Sequence, residues 1–564
     1  MTEQVLEKGC ELDTSGVPTK AMDAVLDQYE AKVYKNRKKH IVTVDHTLET
    51  PQEILANVRT VPGMLTHRGC CYAGCKGVVI GPLKDALTIV HGPIGCSFYT
   101  WGTRRHKAKT EEDGINLVPY TFSTDMRETD IVFGGEKKLM AAIEEGIELF
   151  HPKAVMICST CPVGLIGDDI HAVAARAEKK YGVKCIAFSC EGYKGVSQSA
   201  GHHIANNQII RRIIGEDDTP PSGEFSVNIL GEYNIGGDSW ETERILRRCG
   251  IEVVSVMTGD GTVTEMRRSH MAGLNLVQCH RSINYIAEMM QTQYGIDWIK
   301  VNFVGINAAC KSLRAIGEYF GDQELMDRIE AVIAEELEDI ADDVAYFREK
   351  LAGKTAALYV GGSRSHHYQQ LLRDFGVSTV LAGYEFAHRD DYEGREVIDS
   401  IKIDADSKNI ENLTVEPVEG KYRVRFSPDK YEELKGEVDG LEYYEGMIKE
   451  MGNGTLMVDD LNHFETEELV RMLKPDVFFS GIKDRYVLQK GGVHSRQLHS
   501  YDYKGPYAGF KGAVNFGQDL VMSIYTPVWG KIVPPWRTEP SLSGTVEADS
   551  SVTPKAAVAI GGKE

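Results

Sequence analysis

The sequence predicts an α/β protein built as three Rossmann-like domains, with parallel sheets flanked by helices. Three observations point there. Short apolar runs alternate with amphipathic stretches at the spacing of right-handed βαβ units. The unit recurs, and clusters of Pro, Gly and Asp separate its copies. The chain also has 564 residues, more than one core serves at roughly 150 residues per domain.

The elements follow in order. Residues 1–60 are polar and read as an N-terminal helical segment with no clear core period. Residues 61–220 form a cysteine-bearing α/β domain. In it KAVMIC (153–158) reads as a buried strand, HAVAARAEKKYG as a helix and VKCIAFSC as the next strand. The linker GEDDTPPSGE (215–224) runs across its end. Residues 221–352 repeat the pattern with the strand FSVNILG, the helix SWETERILRRCG and the strand IEVVSVMTG, then a long acidic helix. Residues 353–510 open on the strand TAALYVGG, pass through the helix SHHYQQLLRDFG to VSTVLAG, and reach a further strand, DVFFSG (476–481). Within them, about 396–452 are rich in Glu, Asp and Lys and read as a surface insertion. Residues 511–536 are a C-terminal segment. Residues 537–564 are polar and without period, a disordered tail by composition.

Charge narrows the function. Lys+Arg is 63 and Asp+Glu is 83, a formal net charge of −20. Such a chain does not neutralise phosphates, so nucleic acid is excluded as a partner, and so is an anionic membrane surface. No apolar stretch approaches the roughly 20 residues that cross a bilayer. The N-terminus lacks an apolar signal core. A cytoplasmic location is expected. The 12 cysteines are too few for a disulfide scaffold, and in a reducing compartment clustered cysteines point to metal or redox chemistry.

Ligands of open parallel sheets bind beyond the carboxyl ends of the strands, so the loops there hold the candidates. Cys70, Cys71 and Cys75 lie in HRGCCYAGCKG, Cys96 in HGPIGCSFYTW and Cys161 in STCPVG. Thiolates for an inorganic cluster must converge from several loops. The glycines beside these cysteines let backbone approach a bulky body. Unrelated buried cysteines would look the same, and none of the spacings is that of a zinc ribbon. Cys279, in LNLVQCHRSINYI, reads alone as a core residue, and His499, in SRQLHSYDYKGPY, as a surface or capping residue. His202 and His203 follow a Gly-rich loop and are either a structural pair or include a proton donor. Gly361, Gly362 and Arg364, in GGSR, suit an anion or a plain turn with a surface Arg. Lys483 and Gln497 read locally as solvated. There is no GxxxxGK[ST], so the chain does not itself hydrolyse nucleotide, and no GxGxxG follows a strand.

Seven segments read together resemble the α chains of nitrogenase, closest in form to the molybdenum–iron type. They are RGCCYAGCKGVVIGPLKDALTIVHGPIGC, CPVGLIGDDI, CEGYKGVSQSAGHHIAN, NLVQCHRSINYI, YVGGSR, GYEFAHRDDY and RQLHSYDYKGPY, in order from about residue 68 to 536. The resemblance implies a cofactor held between domains. It implies that Cys70, Cys96 and Cys161 are the α-chain thiolates of a P-cluster, an iron–sulfur cluster shared with a β chain. Cys279 matches the thiolate on the terminal iron of an iron–molybdenum cofactor, and His499 the imidazole on its molybdenum. Val78 matches a gate on substrate access, Arg104 and Gln198 match residues lining the cofactor, and His202 matches the proton donor. Gly361, Gly362 and Arg364 match the loop that hydrogen-bonds the cofactor sulfides. Lys483 and Gln497 match groups near homocitrate. Phe133, in DIVFGG, matches a docking residue for the iron protein.

The implied function is the catalytic subunit of an α2β2 nitrogenase that reduces dinitrogen to ammonia, with electrons from a separate ATP-hydrolysing iron protein. Vanadium or iron-only forms and a non-catalytic cofactor-assembly scaffold are the competing readings. A scaffold lacks the permanent histidine ligand, so His499 with Gln497 beside it argues for the enzyme. The related protochlorophyllide reductase lacks the Cys279–His499 pair. Three departures stand out. Cys71 and Cys75 are extra and not implied as ligands. The insertion resembles that of a clostridial-type branch. Tyr501 stands where other members carry Trp.

Overall fold

Strands buried on both faces are the mark of parallel sheets covered by helices. The runs Ala86–His91, Ala154–Ser159 and Phe225–Glu232 are buried at every position. The computed structural model describes residues 17–48, 52, 54, 61, 63–65, 69–103, 107–109, 115–194, 198–279, 283–359, 364–384, 422–424, 441–443, 451–481, 484–498, 505–526 and 528. Among them it forms three sheets that matter for the site.

The first sheet has the order Phe122–Ser123, Ala86–His91, Ala154–Ser159, Lys184–Phe188, all parallel. The second has the order Ile251–Thr258, Phe225–Glu232, Leu274–Val277, Trp298–Lys300, again all parallel. The third is six-stranded: Ile41–Thr43, Leu456–Asp459, Ser378–Tyr384, Thr355–Tyr359, Val477–Ser480, Ser495–Gln497. Only its first strand runs antiparallel. The α/β class with helix-flanked parallel sheets is therefore borne out.

One local reading changes. Ile41–Thr43 is a strand where the sequence suggested only helix before residue 61. It escapes notice because three residues are too few to show an alternation. The helix Arg485–Lys490 buries Leu488 and Gln489 and exposes Tyr486 and Val487. Of the insertion at about 396–452, only the parallel pair Tyr422–Val424 and Leu441–Tyr443 and the last two residues are described. The tail 537–564 lies outside the described residues.

Backbone-to-carboxylate bonds tie the sheets together. Asp85 Oδ1 accepts from Val263 N at 2.7 Å, joining the first sheet to the second. Asp374 Oδ2 accepts from Ile306 N at 2.6 Å, joining the second to the third. Asp238 Oδ1 accepts from Tyr507 N at 2.7 Å and Ala508 N at 3.0 Å, holding the start of the helix Gly509–Tyr525. Arg37, at the end of the helix Ala31–Arg37, is buried and gives Nε and Nη2 to Glu465 at 2.6 and 2.7 Å.

The helix Gln198–Arg212 lies directly on the short helix Cys71–Gly74. A Cβ on Gly201 would overlap the Cys71 carbonyl oxygen and the Cys75 backbone nitrogen. Gly201→Ala would gain about 1 kcal/mol of helix propensity. The clash is with backbone, which has no rotamer to escape into, and overpacking of this kind costs about 1–3 kcal/mol or more. The variant should therefore unfold at a lower temperature than the parent; an equal or higher midpoint would contradict the contact.

His494 precedes the edge strand Ser495–Gln497, and its carbonyl accepts from Phe478 N at 2.9 Å. Burial first, then the charges of Arg496 and Arg485, push its imidazole down to about 4. The unfolded chain binds that proton near pH 6.5. Stability from neutral His494 is thus fully present above pH 6.5 and is lost as pH falls from there toward 4. His494→Gln should flatten this part of the pH–stability curve, measured by chemical unfolding at a series of pH values.

Candidate metal-cluster site

Three cysteines converge at the carboxyl edge of the first sheet. Cys96 lies in the first turn of the helix Ile94–Thr103, which follows the strand Ala86–His91. Cys161 opens the helix Cys161–Ile166, which follows the neighbouring strand Ala154–Ser159. Cys70 is the capping residue of the helix Cys71–Gly74. Helix starts present unpaired backbone N–H groups, which favour a negative sulfur.

Two bonds brace these loops. Thr160 Oγ1 donates to the His91 carbonyl at 2.9 Å, linking the exits of the two strands. The His91 ring lies between Thr124 Oγ1 and Asp168 Oδ2, each at 3.0 Å.

Gly192, just beyond the strand Lys184–Phe188, brings the sulfurs into one place. A Cβ built there would stand 3.1 Å from Cys161 Sγ and 3.3 Å from Cys70 Sγ. The Cys96 thiol is pushed up by burial first, then by the neighbouring Cys161 and Cys70. Cys70 and Cys161 are exposed and Cys96 is half-buried. The cradle thus opens outward, and apolar side chains rim it: Ile94, Phe98, Tyr99, Leu165 and Tyr193 are all exposed. Exposed apolar surface of this kind marks a place where another chain packs. Three thiols around a glycine floor fit an iron–sulfur body that needs further sulfur ligands from outside.

The second candidate region lies at the carboxyl edge of the second sheet. Cys279 follows the strand Leu274–Val277 and is half-buried. It packs on Gly231 of the next strand, whose built Cβ would lie 2.5 Å from Cys279 Cβ. Two residues further on, the Tyr233 ring stands 6.4 Å from that of His202, centroid to centroid. His202 is buried on the helix Gln198–Arg212, of which Gln198 is the first residue. Val78 is buried in the π-helical segment Cys75–Ile80. One hydrophobic cluster contains Val78, Leu230, Tyr233 and Val277, and both Cys96 and Cys279 pack against it. The cradle and the Cys279 region therefore share a wall.

The remaining candidates are placed less fully. Gln497 is buried in the edge strand of the third sheet, opposite Ser480. Arg364 is the first residue of the helix Arg364–Asp374. Phe133 ends the helix Glu128–Phe133 and is 86% exposed. Arg104, Gly361, Gly362, Lys483 and His499 lie outside the described residues, and with His499 goes the distance between Cys279 and the imidazole.

Two residues of the site escaped the sequence reading. Gly192 sits inside CEGYKG, where a glycine beside a motif cysteine was the available signal. Tyr72 donates its hydroxyl to the Cys96 carbonyl at 2.9 Å, a contact that local sequence does not announce. Gly192→Val should crowd both exposed sulfurs while leaving the strands intact. The expected result is lower iron content in the purified complex with unchanged secondary structure by circular dichroism; full iron content would contradict the cradle.

Comparison with known proteins agrees with this geometry. The family model described as nitrogenase component 1 type oxidoreductase matches residues 70–525. The nitrogenase molybdenum-iron protein alpha chain of Clostridium pasteurianum is 60% identical over 526 residues, 93% of this chain and 98% of that one. The protein of the same name from Methanosarcina barkeri is 51% identical, over 92% of this chain and 97% of its own. The solved structure described as nitrogenase Cp1 at pH 6.5 superposes with a TM-score of 0.82 at 58% identity, covering 92% of this chain and 100% of that chain. The chain belongs to the nitrogenase component 1 family, among the molybdenum-iron protein alpha chains.

Proposed function

We propose a division of labour for this chain's side chains within a nitrogenase. The chain is the catalytic α subunit, the enzyme reduces dinitrogen to ammonia, and the family carries metal–sulfur clusters and a β-chain partner. In this reading Cys70, Cys96 and Cys161 hold the α half of a P-cluster, and the β chain supplies the other half across the apolar rim. The observation that carries it is the convergence of Cys70 and Cys161 on Gly192, with Cys96 beside them.

Cys279 and His499 hold the two ends of an iron–molybdenum cofactor that carries homocitrate. When bound, these groups supply stored electrons and a reducing metal face. With only two direct protein ligands, the cofactor's negative charge falls to its surroundings. Arg104, Arg364 and Lys483 provide fixed positive charge. Gly361 and Gly362 offer backbone N–H groups, and Gln497 and Gln198 offer amides. Val78 narrows the approach to the site. His202 holds and releases a proton. Phe133, on the exposed end of its helix, is where an ATP-hydrolysing iron protein docks. The named relatives are all molybdenum–iron chains, which favours molybdenum over vanadium or iron alone and the enzyme over a scaffold.

Elemental analysis of the complex purified without oxygen tests the assignment. The parent should contain molybdenum and iron. Cys279→Ala should lose molybdenum and dinitrogen reduction while keeping the iron of the shared cluster; retained molybdenum would refute the ligand. His202→Ala should keep molybdenum and slow ammonia formation by about 10²- to 10⁴-fold, the usual worth of a positioned proton donor. An unchanged rate would remove His202 from that role.

A further inference from the structure

A second group of sulfurs lies behind the cradle and is not used by the reading above. Cys75 begins the π-helical segment Cys75–Ile80, Cys158 lies in the strand Ala154–Ser159, and Cys190 follows the strand Lys184–Phe188. All three are fully buried, and their sulfurs lie within 4.8 Å of one another. They arrive from three separate stretches of chain and are not joined by disulfides. We propose that Cys75, Cys158 and Cys190 form a separate site for one thiophilic closed-shell cation, copper(I), distinct from the clusters of the family.

The geometry fits the size of such an ion. Three sulfurs bound at about 2.3 Å to one centre stand about 4 Å apart, inside the observed limit. Soft thiolates select copper(I) and zinc among common ions. Zinc wants a fourth ligand, and among the described residues no further His, Cys, Asp or Glu joins the three. Copper(I) is satisfied by three sulfurs.

Charge also fits. Lys76 is buried next in sequence to Cys75 and donates to Thr121 Oγ1 at 2.9 Å. Burial pulls the Lys76 ammonium down to about 8, and its charge acts on Cys158 in the direction that favours a thiolate. Thiols packed merely as small apolar groups would not need a buried ammonium beside them. Cys190 also donates to the Ser159 carbonyl at 3.6 Å, which aims its sulfur toward the strand that carries Cys158.

The test uses the intact complex with its β chain, purified without oxygen. It is incubated with copper(I) buffered by a chromophoric chelator and then gel-filtered. The expected result is about one copper retained per α chain, with an X-ray absorption edge and fine structure of a three-sulfur site. Cys158→Ser should lose that copper while iron content stays at the parent level. If Cys158→Ser does not assemble, Cys75→Ala and Cys190→Ala carry the same expectation. Copper bound at the clusters themselves would persist in all variants. The proposal falls if the parent retains no copper, if the copper has nitrogen or oxygen neighbours, or if the variants retain as much as the parent. Since the readout is bound copper and not ammonia, its failure leaves the nitrogenase assignment untouched.

Discussion

Sulfur ligands on separate segments meet only where the segments themselves come within touching distance, and here glycine sets that distance. Gly74 and Gly201 let the helix Gln198–Arg212 lie on the helix Cys71–Gly74 with backbone against backbone. Gly192 lets Cys70 and Cys161 face the same floor. A side chain at any of these positions would push the layers apart by the width of a methyl group. The helix that bears His202 and the turn that bears Cys70 would then separate together. Positions that look like flexible punctuation in the sequence are thus the most sterically constrained in this region.

Parallel topology supplies the rest. In the first sheet, the strands Ala86–His91 and Ala154–Ser159 are neighbours in register, so the loops that follow them open side by side. Each loop turns at once into a helix, and each helix begins near a cysteine. In the second sheet, Leu274–Val277 neighbours Phe225–Glu232, which sets Cys279 against Gly231. A shared hydrophobic wall runs between the two edges. Exposed apolar groups stand on the segments that carry Cys96, Cys161 and Gly192, which fits a chain finished by a partner on one flank.

Much of this was legible in the sequence because parallel strands advertise themselves as unbroken apolar runs. KAVMIC and FSVNILG correspond to strands within a residue, and TAALYVGG begins with the strand Thr355–Tyr359, its last three residues lying outside the described residues. Short edge elements were not legible: Ile41–Thr43 and Ser495–Gln497 have three residues each, and the first pairs with Leu456–Asp459 at the far end of the chain. The cysteine motifs of the cradle were readable as candidates, and their neighbours alone could not say that they meet. That Cys75, Cys158 and Cys190 share one spot was hidden, because each looks like an ordinary core residue until the sheet brings them together. Cys279 was the extreme case, a single sulfur on an apolar stretch that gained meaning only from its resemblance to a family.

The third sheet has a consequence for how the chain is made. The first two sheets draw on compact spans, from Ala86 to Phe188 and from Phe225 to Lys300. The third needs Ile41–Thr43 and Ser495–Gln497 at its two borders, and Arg37 reaches Glu465 across 428 positions. A ribosome emitting this polypeptide releases both earlier sheets before the last can close. The amino-terminal helices must wait, unpaired, for a carboxy-terminal half that does not yet exist, and translation order becomes assembly order.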